Sequence, residues 1–282
     1  MIPPQVSLMC FACSSALEVQ SQGETACRKC GEVYEVKPGR LKTQADKHLF
    51  RMYRKDYLLN KVLNNNGLVS YSQLPDGSLS LTSRHDVARF RAFIQSQVAG
   101  GVVLDVGCGP LPLAGYLDFS DKSPYCFVGI DPIDGTSYDG FRIVGASELL
   151  PLQDSTVDAV IFGTSLDHVC NLDRTIRESK RVVRPEGRIL VWMSDNSRSL
   201  IQRAKSWITD MAKSIRVGYS VRRYRVYPNF TVLEIPRGGV DPFHSYFESP
   251  EKIVREFGRL QLRLVRREDH SRDEIFLSFA HK

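Results

Sequence analysis

Cys10-Phe-Ala-Cys13 and Cys27-Arg-Lys-Cys30 are two Cys-x-x-Cys pairs with 13 residues between them, and Gly31 follows the last cysteine directly. Each pair can turn two thiolates onto one ion, and two such turns close the tetrahedral four-sulfur shell that zinc prefers. Gly31 stands where a knuckle calls for a residue tolerant of unusual backbone angles. Four protein ligands leave no open coordination position, so a metal held by Cys10, Cys13, Cys27 and Cys30 would fold its module and not activate water. A redox dithiol in each pair is the competing reading. A second chemistry is written at Gly107-Cys108-Gly109, which follows the short apolar run Gly101–Val106 and precedes a helix-compatible stretch from Leu111. Strand, glycine turn and helix is the context of a nucleotide-type cofactor, because glycine lets the backbone approach the ligand and a helix N-terminus presents unpaired N–H groups. A dinucleotide fingerprint would carry glycine or alanine three residues past the second glycine. Pro112 stands there, and Asp105 places an acid inside the approach strand, which argues against a nicotinamide cofactor.

Asp105-Val106-Gly107-Cys108-Gly109-Pro110 is similar to the first motif of class I (Rossmann-like) S-adenosylmethionine-dependent methyltransferases, and the resemblance extends over residues 84–282 with the insert 194–248 left out of it. Tyr125–Asp131 is an apolar strand ending in an acid 26 residues after Asp105, followed by Pro132. The family assigns that carboxylate to the two ribose hydroxyls, which it can accept as hydrogen bonds. Gly145–Leu152 matches the family's adenine segment in shape, with Ala146 where an Asp commonly meets the adenine amino group. The resemblance therefore implies backbone contacts near Ala146 and Ser147, with Glu148 as a helper. It also places Gly163 and Thr164, at the end of the fourth strand, beside the transferred methyl group. Arg184-Pro-Glu-Gly187 repeats the family's break before strand five.

The first forty residues resemble the zinc-ribbon family that includes the activator subunit of several methyltransferases. They are also similar to the ribbon of bacterial large-subunit rRNA guanine methyltransferases, whose second pair fits less well. Methyl transfer from a sulfonium needs alignment and, for a hydroxyl acceptor, a base. Asp167-His168 follows strand four, with His168 open between a base and a packing role. His244, in Asp241-Pro-Phe-His-Ser-Tyr-Phe247, resembles a histidine of small-molecule relatives and reads as a base or acceptor ligand, with a loop histidine as the plain alternative. Residues 194–248 carry Arg198, Arg203, Lys205, Lys213, Arg216, Arg222, Arg223 and Arg225, and a basic cap there would hold a phosphate-bearing acceptor or track a nucleic-acid backbone. A solvated cationic face is the bland alternative. The leading expectation is O-methylation of a small-molecule or saccharide acceptor, nucleotide- or lipid-linked forms included. Methylation of rRNA or tRNA through ribbon docking, and a noncatalytic zinc-ribbon partner of another methyltransferase, are the alternatives.

The elements that must position these groups follow from periodicity. Residues 1–42 read as the ribbon, with short strands at 16–20 and 32–36, and residues 43–82 as a helical linker or lid with a helix from Thr43 to Leu63. Residues 83–282 read as the methyltransferase unit, an α/β seven-stranded sheet with helices on both faces. Its expected helices are 83–98, 174–183 and 250–257, and its strands 101–106, 125–131, 141–144, 154–163, 188–193, 260–265 and 274–280. Ser83 is available to cap the first helix, which would bring Arg84 and His85 to the cofactor mouth or leave them in solvent. With 282 residues, 42% hydrophobic and 25% charged, the chain has ordinary globular composition, and its net charge of +6 permits an acidic partner without requiring one. Neither a secretory signal nor an apolar run of roughly 20 residues is present, so a cytoplasmic location is expected, where seven cysteines read as ligands or buried thiols.

Overall fold

The computed structural model describes residues 2–19, 22–54, 56–58, 60–61, 84–110, 112–135, 138–195, 225–226, 231–232 and 249–282. In chain order these form β1 (Gly23–Ala26), β2 (Val33–Lys37), β3 (Arg40–Lys42), α1 (Ala45–Met52), α2 (His85–Gln97), β4 (Gly101–Val106), β5 (Tyr125–Asp131), β6 (Phe141–Val144) and β7 (Val157–Gly163). There follow α3 (Leu172–Val182), β8 (Val183–Met193), β9 (Arg225–Val226), β10 (Thr231–Val232), α4 (Pro250–Arg259), β11 (Leu262–Ser271) and β12 (Glu274–His281). β9 and β10 pair with each other, and the other ten strands form one sheet in the order β1-β2-β3-β6-β5-β4-β7-β8-β12-β11.

The seven strands from β6 to β11 are those expected of the α/β unit, with β12 antiparallel to both of its neighbours and β4 to β8 parallel. The central strands read as nearly continuous apolar runs because both of their faces are covered. On one face Val102, Leu104, Val128 and Ile130 pack with Ile176 and Val182 of α3 and with Ile253 and Phe257 of α4. On the other, Val103, Phe127 and Ile161 pack with Val87, Phe90, Phe93 and Ile94 of α2. Chain order reverses at β4, flanked by β5 on one side and β7 on the other, and open α/β sheets bind ligands at the carboxyl ends of strands beside such a switch point.

The ribbon is sewn into this sheet. β3 pairs in parallel with β6 through Arg40–Arg142, Leu41–Ile143 and Lys42–Val144. The Arg142 amide donates to the Gly39 carbonyl at 2.8 Å, and the Thr43 amide to that of Val144 at 2.9 Å. Leu8 bridges Leu152, and Tyr34, Val36 and Leu41 share one apolar cluster with Phe141 and Ile143. The ribbon thus has no core separate from that of the larger sheet.

Four expectations are corrected. After the glycine turn only a 3-10 turn, Gly115–Leu117, forms among the described residues, in place of a helix from Leu111. Pro110 and Pro112 remove two donors from what would be its first turns. Among the described residues no strand forms at 16–19: Ala16 makes a single bridge to Met9, and β2 finds its partner further on in β1. The long helix expected from Thr43 breaks at Tyr53, where φ is −135°, and the described residues between 54 and 61 resume helical structure. β8 begins at Val183, so the Pro185-Glu186-Gly187 turn becomes an irregular start to that strand, with a register shift against β7. Among the described residues no helix is long and apolar enough to cross a membrane.

Candidate functional site

The turn that follows β4 needs its glycines. Gly107 has φ +80° and Gly109 φ +64°, and a Cβ on Gly107 would lie 2.4 Å from that of Ser165. Ser165 reaches across from the end of β7 to donate its hydroxyl to the Val106 carbonyl. At the tip of β5, Asp131 accepts the Gly109 amide at 2.9 Å on Oδ2 and the Ile133 amide at 2.7 Å on Oδ1. A carboxylate offers about four lone-pair positions, so two remain for hydroxyl donors. Burial pushes the Asp131 carboxyl above its ordinary value, against the pull of those two amides.

Asp105 lies fully buried on the same face of the sheet. Its Oδ1 accepts the Tyr116 hydroxyl at 2.8 Å, while Oδ2 has no partner among the described residues. Burial, with the charge of Asp131 added to it, pushes this carboxyl up to about 7. Tyr116 comes from the 3-10 turn, and a Cβ on Gly163 would sit 2.4 Å from its ring, so Gly163 is small because Tyr116 crosses it. Thr164 adopts φ +61° and donates its amide to the Trp192 carbonyl at 3.1 Å.

On the outer side, buried Ala146 packs with Leu149 and Cys170 and with Ala45, Leu49 and Tyr57 from the chain following the ribbon. The side chains of Ser147 and Glu148 turn toward the start of α3: Ser147 Oγ lies 3.0 Å from Thr175 Oγ1, and Glu148 accepts the Asn171 amide at 2.8 Å. Pro132 is exposed next to Asp131. Asp167 and His168 share the 3-10 turn after β7, with His168 Nε2 3.3 Å from Asp167 Oδ1, and the Asn60 amide donates to the His168 carbonyl. The glycine turn, Asp105, Asp131 and the Asp167–His168 turn therefore all gather at the carboxyl ends of β4, β5 and β7. Arg84 pairs with Asp86 and lies 6.0 Å from the Trp192 ring. His244 and most of the basic insert fall outside the described residues.

Sequence reading missed Tyr116, Tyr138 and Arg142. Arg142 is 2% exposed, and its Nη2 donates to the Gly109 carbonyl and, at 3.1 Å, to that of Ile133. An arginine inside the short strand Phe-Arg-Ile-Val was the one signal that could have found it, since a buried cation needs partners.

In the ribbon the four predicted thiols converge. The sulfurs of Cys10, Cys13, Cys27 and Cys30 all lie within 4.8 Å of one another, with Cys10–Cys30 and Cys13–Cys27 at 3.6 Å. Zinc–sulfur bonds of about 2.3 Å in a tetrahedron call for sulfurs about 3.8 Å apart, so the donor set fits the ion. The two knuckles are built alike: the Ser14 amide donates to the Cys10 carbonyl and the Gly31 amide to the Cys27 carbonyl, each at 2.8 Å. Ser14 and Gly31 both take positive φ there, 59° and 76°.

Residues 104–191 match the family described as methyltransferase domain. A demethylmenaquinone methyltransferase of Symbiobacterium thermophilum is 32% identical over 105 residues, which is 32% of this chain and 41% of that relative. The chain thus spans about two fifths of the curated relative it matches. Among solved structures, the 1,6-didemethyltoxoflavin-N1-methyltransferase of Burkholderia thailandensis, with 1,6-didemethyltoxoflavin and S-adenosylhomocysteine bound, superposes at a TM-score of 0.56 with 10% identity. That superposition covers 92% of this chain and 99% of that one. A protein of Pyrococcus horikoshii superposes at 0.52 with 16% identity, covering 76% of this chain and 99% of its own. These likenesses carry the fold, and the family match within it shows that the chain contains a class I S-adenosylmethionine-dependent methyltransferase domain.

Proposed function

Taking that domain as the premise, we propose that the protein transfers the methyl group of S-adenosylmethionine to a hydroxyl of a small-molecule or saccharide acceptor, with a structural zinc in the ribbon. The observation that carries the cofactor reading is the pairing of Asp131 with the glycine turn: a buried carboxylate at the tip of β5, tied to Gly109, with lone pairs left for two hydroxyls. Gly107, Cys108 and Gly109 would hold the cofactor backbone-to-ligand, Asp105 and Val106 support them from β4, and Gly163 with Thr164 would flank the reacting end. Pro132 bounds the ribose side. The backbone from Ala146 to Glu148 would contact adenine, since the side chains of Ser147 and Glu148 already bond to α3.

When bound, S-adenosylmethionine supplies a methyl electrophile whose leaving group needs no acid. What the chain supplies is alignment and a place for the acceptor's proton. Among the described residues His168 is the best-placed base: its imidazole would take the hydroxyl proton as oxygen bonds to carbon, and Asp167, 3.3 Å away, would stabilise the imidazolium. His244 remains a second candidate base from the sequence. Cys10, Cys13, Cys27 and Cys30 would hold zinc as thiolates, closing the ribbon without entering the reaction.

Calorimetry with S-adenosylhomocysteine tests the cofactor half, and saturable binding is expected. Absence of any heat would sink the enzyme reading. Labelled methyl transfer to a panel of hydroxylated metabolites and sugars tests the acceptor half. Transfer to bulk RNA with none to small acceptors would move the assignment to nucleic acid.

A further inference from the structure

The face of the sheet beneath the glycine turn carries more charge than the motif accounts for. Asp105 of β4, Asp131 of β5 and Arg142 of β6 all project to it, and all three are buried. Cys108 from the turn, Tyr116 from the 3-10 turn and Tyr138 from the β5–β6 connection close over them. A Cβ on Gly129 would meet the Tyr138 ring at 2.6 Å and Cys108 Sγ at 2.8 Å, so the strand opposite Arg142 leaves no room for a larger residue. A Cβ on Gly135 would likewise lie 2.8 Å from the guanidinium carbon of Arg142.

Arg142 is the one cation of this cluster, and its Nη2 joins two carbonyls from different segments: Gly109 in the glycine turn and Ile133 just after Asp131. Those segments also supply the two amides that Asp131 accepts, from Gly109 and Ile133. The same two residues, Gly109 and Ile133, are therefore held through their carbonyls by a guanidinium and through their amides by a carboxylate. Arg142 Nε and Nη1, the Tyr138 hydroxyl and Asp105 Oδ2 have no partner among the described residues, so the guanidinium is held in place by its two carbonyls and the field of the two carboxylates. Its own backbone amide bonds to Gly39, so the ribbon strand fixes the other end of the clamp.

We propose that Arg142 is a positioning residue of the cofactor site. Its guanidinium sets the spacing between the glycine turn and the loop after Asp131, and it sets a positive charge beside the carboxyls of Asp105 and Asp131. It touches no ligand in this role. The proposal rests on the cofactor reading given above and adds to it a residue that acts through others.

The test is the affinity of the metal-loaded, full-length protein for S-adenosylhomocysteine, measured from pH 6 to pH 9 for the wild type, Arg142→Lys and Arg142→Gln. Binding that depends on ionised carboxylates weakens as pH falls, because each proton taken up by Asp105 or Asp131 removes an acceptor. Arg142→Gln lacks the counter-charge, so both carboxyls rise further: its affinity falls by tenfold or more, and the midpoint of its pH profile moves to higher pH. Arg142→Lys keeps the charge and loses the two-carbonyl clamp, so its affinity falls while its midpoint stays near that of the wild type. A merely structural residue would lower affinity in Arg142→Gln with the midpoint unmoved, and that result overturns the proposal, as does unchanged affinity. Should Arg142→Gln not fold, Arg142→Lys decides alone: a wild-type affinity overturns the clamp. If the wild type itself bound no S-adenosylhomocysteine, the cofactor reading would have failed, a different outcome from any of these.

Discussion

In the ribbon, four sulfurs come from two local turns of the same design, each knuckle closed by one amide-to-carbonyl bond and one residue of positive φ. At the glycine turn, the groups that matter come from β4, β5, β6, the 3-10 turn and the end of β7, and the contacts that join them, such as Gly109 to Asp131, Tyr116 to Asp105 and Arg142 to Gly109, cross between separate segments. The first site is defined by spacing along the chain. The second is defined by which strands lie side by side, so its polar partners are found only once the sheet is assembled.

The sharpest way to break this contrast is at the ribbon. Replacing Cys10 and Cys27 together by serine should abolish metal retention and cost most of a binding free energy of about 10–16 kcal/mol for structural zinc in isolated modules. Metal content by emission spectroscopy and the melting temperature check it, and a variant that keeps both would reject the closed four-thiolate site. Asp105 comes next. Its carboxyl sits at about 7 in the folded protein against 3.8 for an unburied one, chiefly through burial. A raised acid favours the folded state fully only below the unfolded value, and that contribution is lost as pH rises through about 7. Asp105→Asn should therefore stabilise the protein, by up to about 4 kcal/mol at pH 8 and by under half of that at pH 5. Urea unfolding at the two pH values measures the difference, and an equal effect at both would show that Asp105 titrates normally.

Asp131→Ala should weaken S-adenosylhomocysteine binding by tenfold or more, using roughly 1.5–3 kcal/mol for charge-assisted bonds, with metal content unchanged. Loss of metal alongside would mean the two regions are less separable than their bonding suggests. The smallest effect is expected where they touch at the surface. Arg40 of β3 pairs with Asp134 at 2.6 Å, partly exposed, and Arg40→Ala should cost about 0.2–1 kcal/mol in thermal unfolding.

The contrast also explains what the sequence made readable. Cysteine spacing is a local property, so Cys10, Cys13, Cys27 and Cys30 could be named before any fold was known. The apolar runs at 101–106, 125–131 and 157–163 gave the parallel strands for the same reason: burial on both faces leaves its mark residue by residue. Asp131 was legible because it ends such a run. Tyr116 was hidden, because its role follows from a helix that Pro110 and Pro112 prevent, whereas in the sequence Pro110 belongs to the cofactor motif and Pro112 marks the departure from a dinucleotide fingerprint. β3 was hidden more deeply. Arg40-Leu41-Lys42 has no strand signature of its own and takes its conformation from β6, about a hundred residues away. Arg142 and Tyr138 belong with it, since nothing near them in sequence says what they face.

The seam between β3 and β6 has one more consequence. With β3 removed, Phe141–Val144 would become the last strand of a parallel sheet, its amides and carbonyls unpaired beside the side chains of Phe141 and Ile143. Such an edge is a template on which other chains stack. The ribbon therefore acts as a stopper on the sheet, and if its thiols need an ion to keep their shape, the ion guards solubility as well as form.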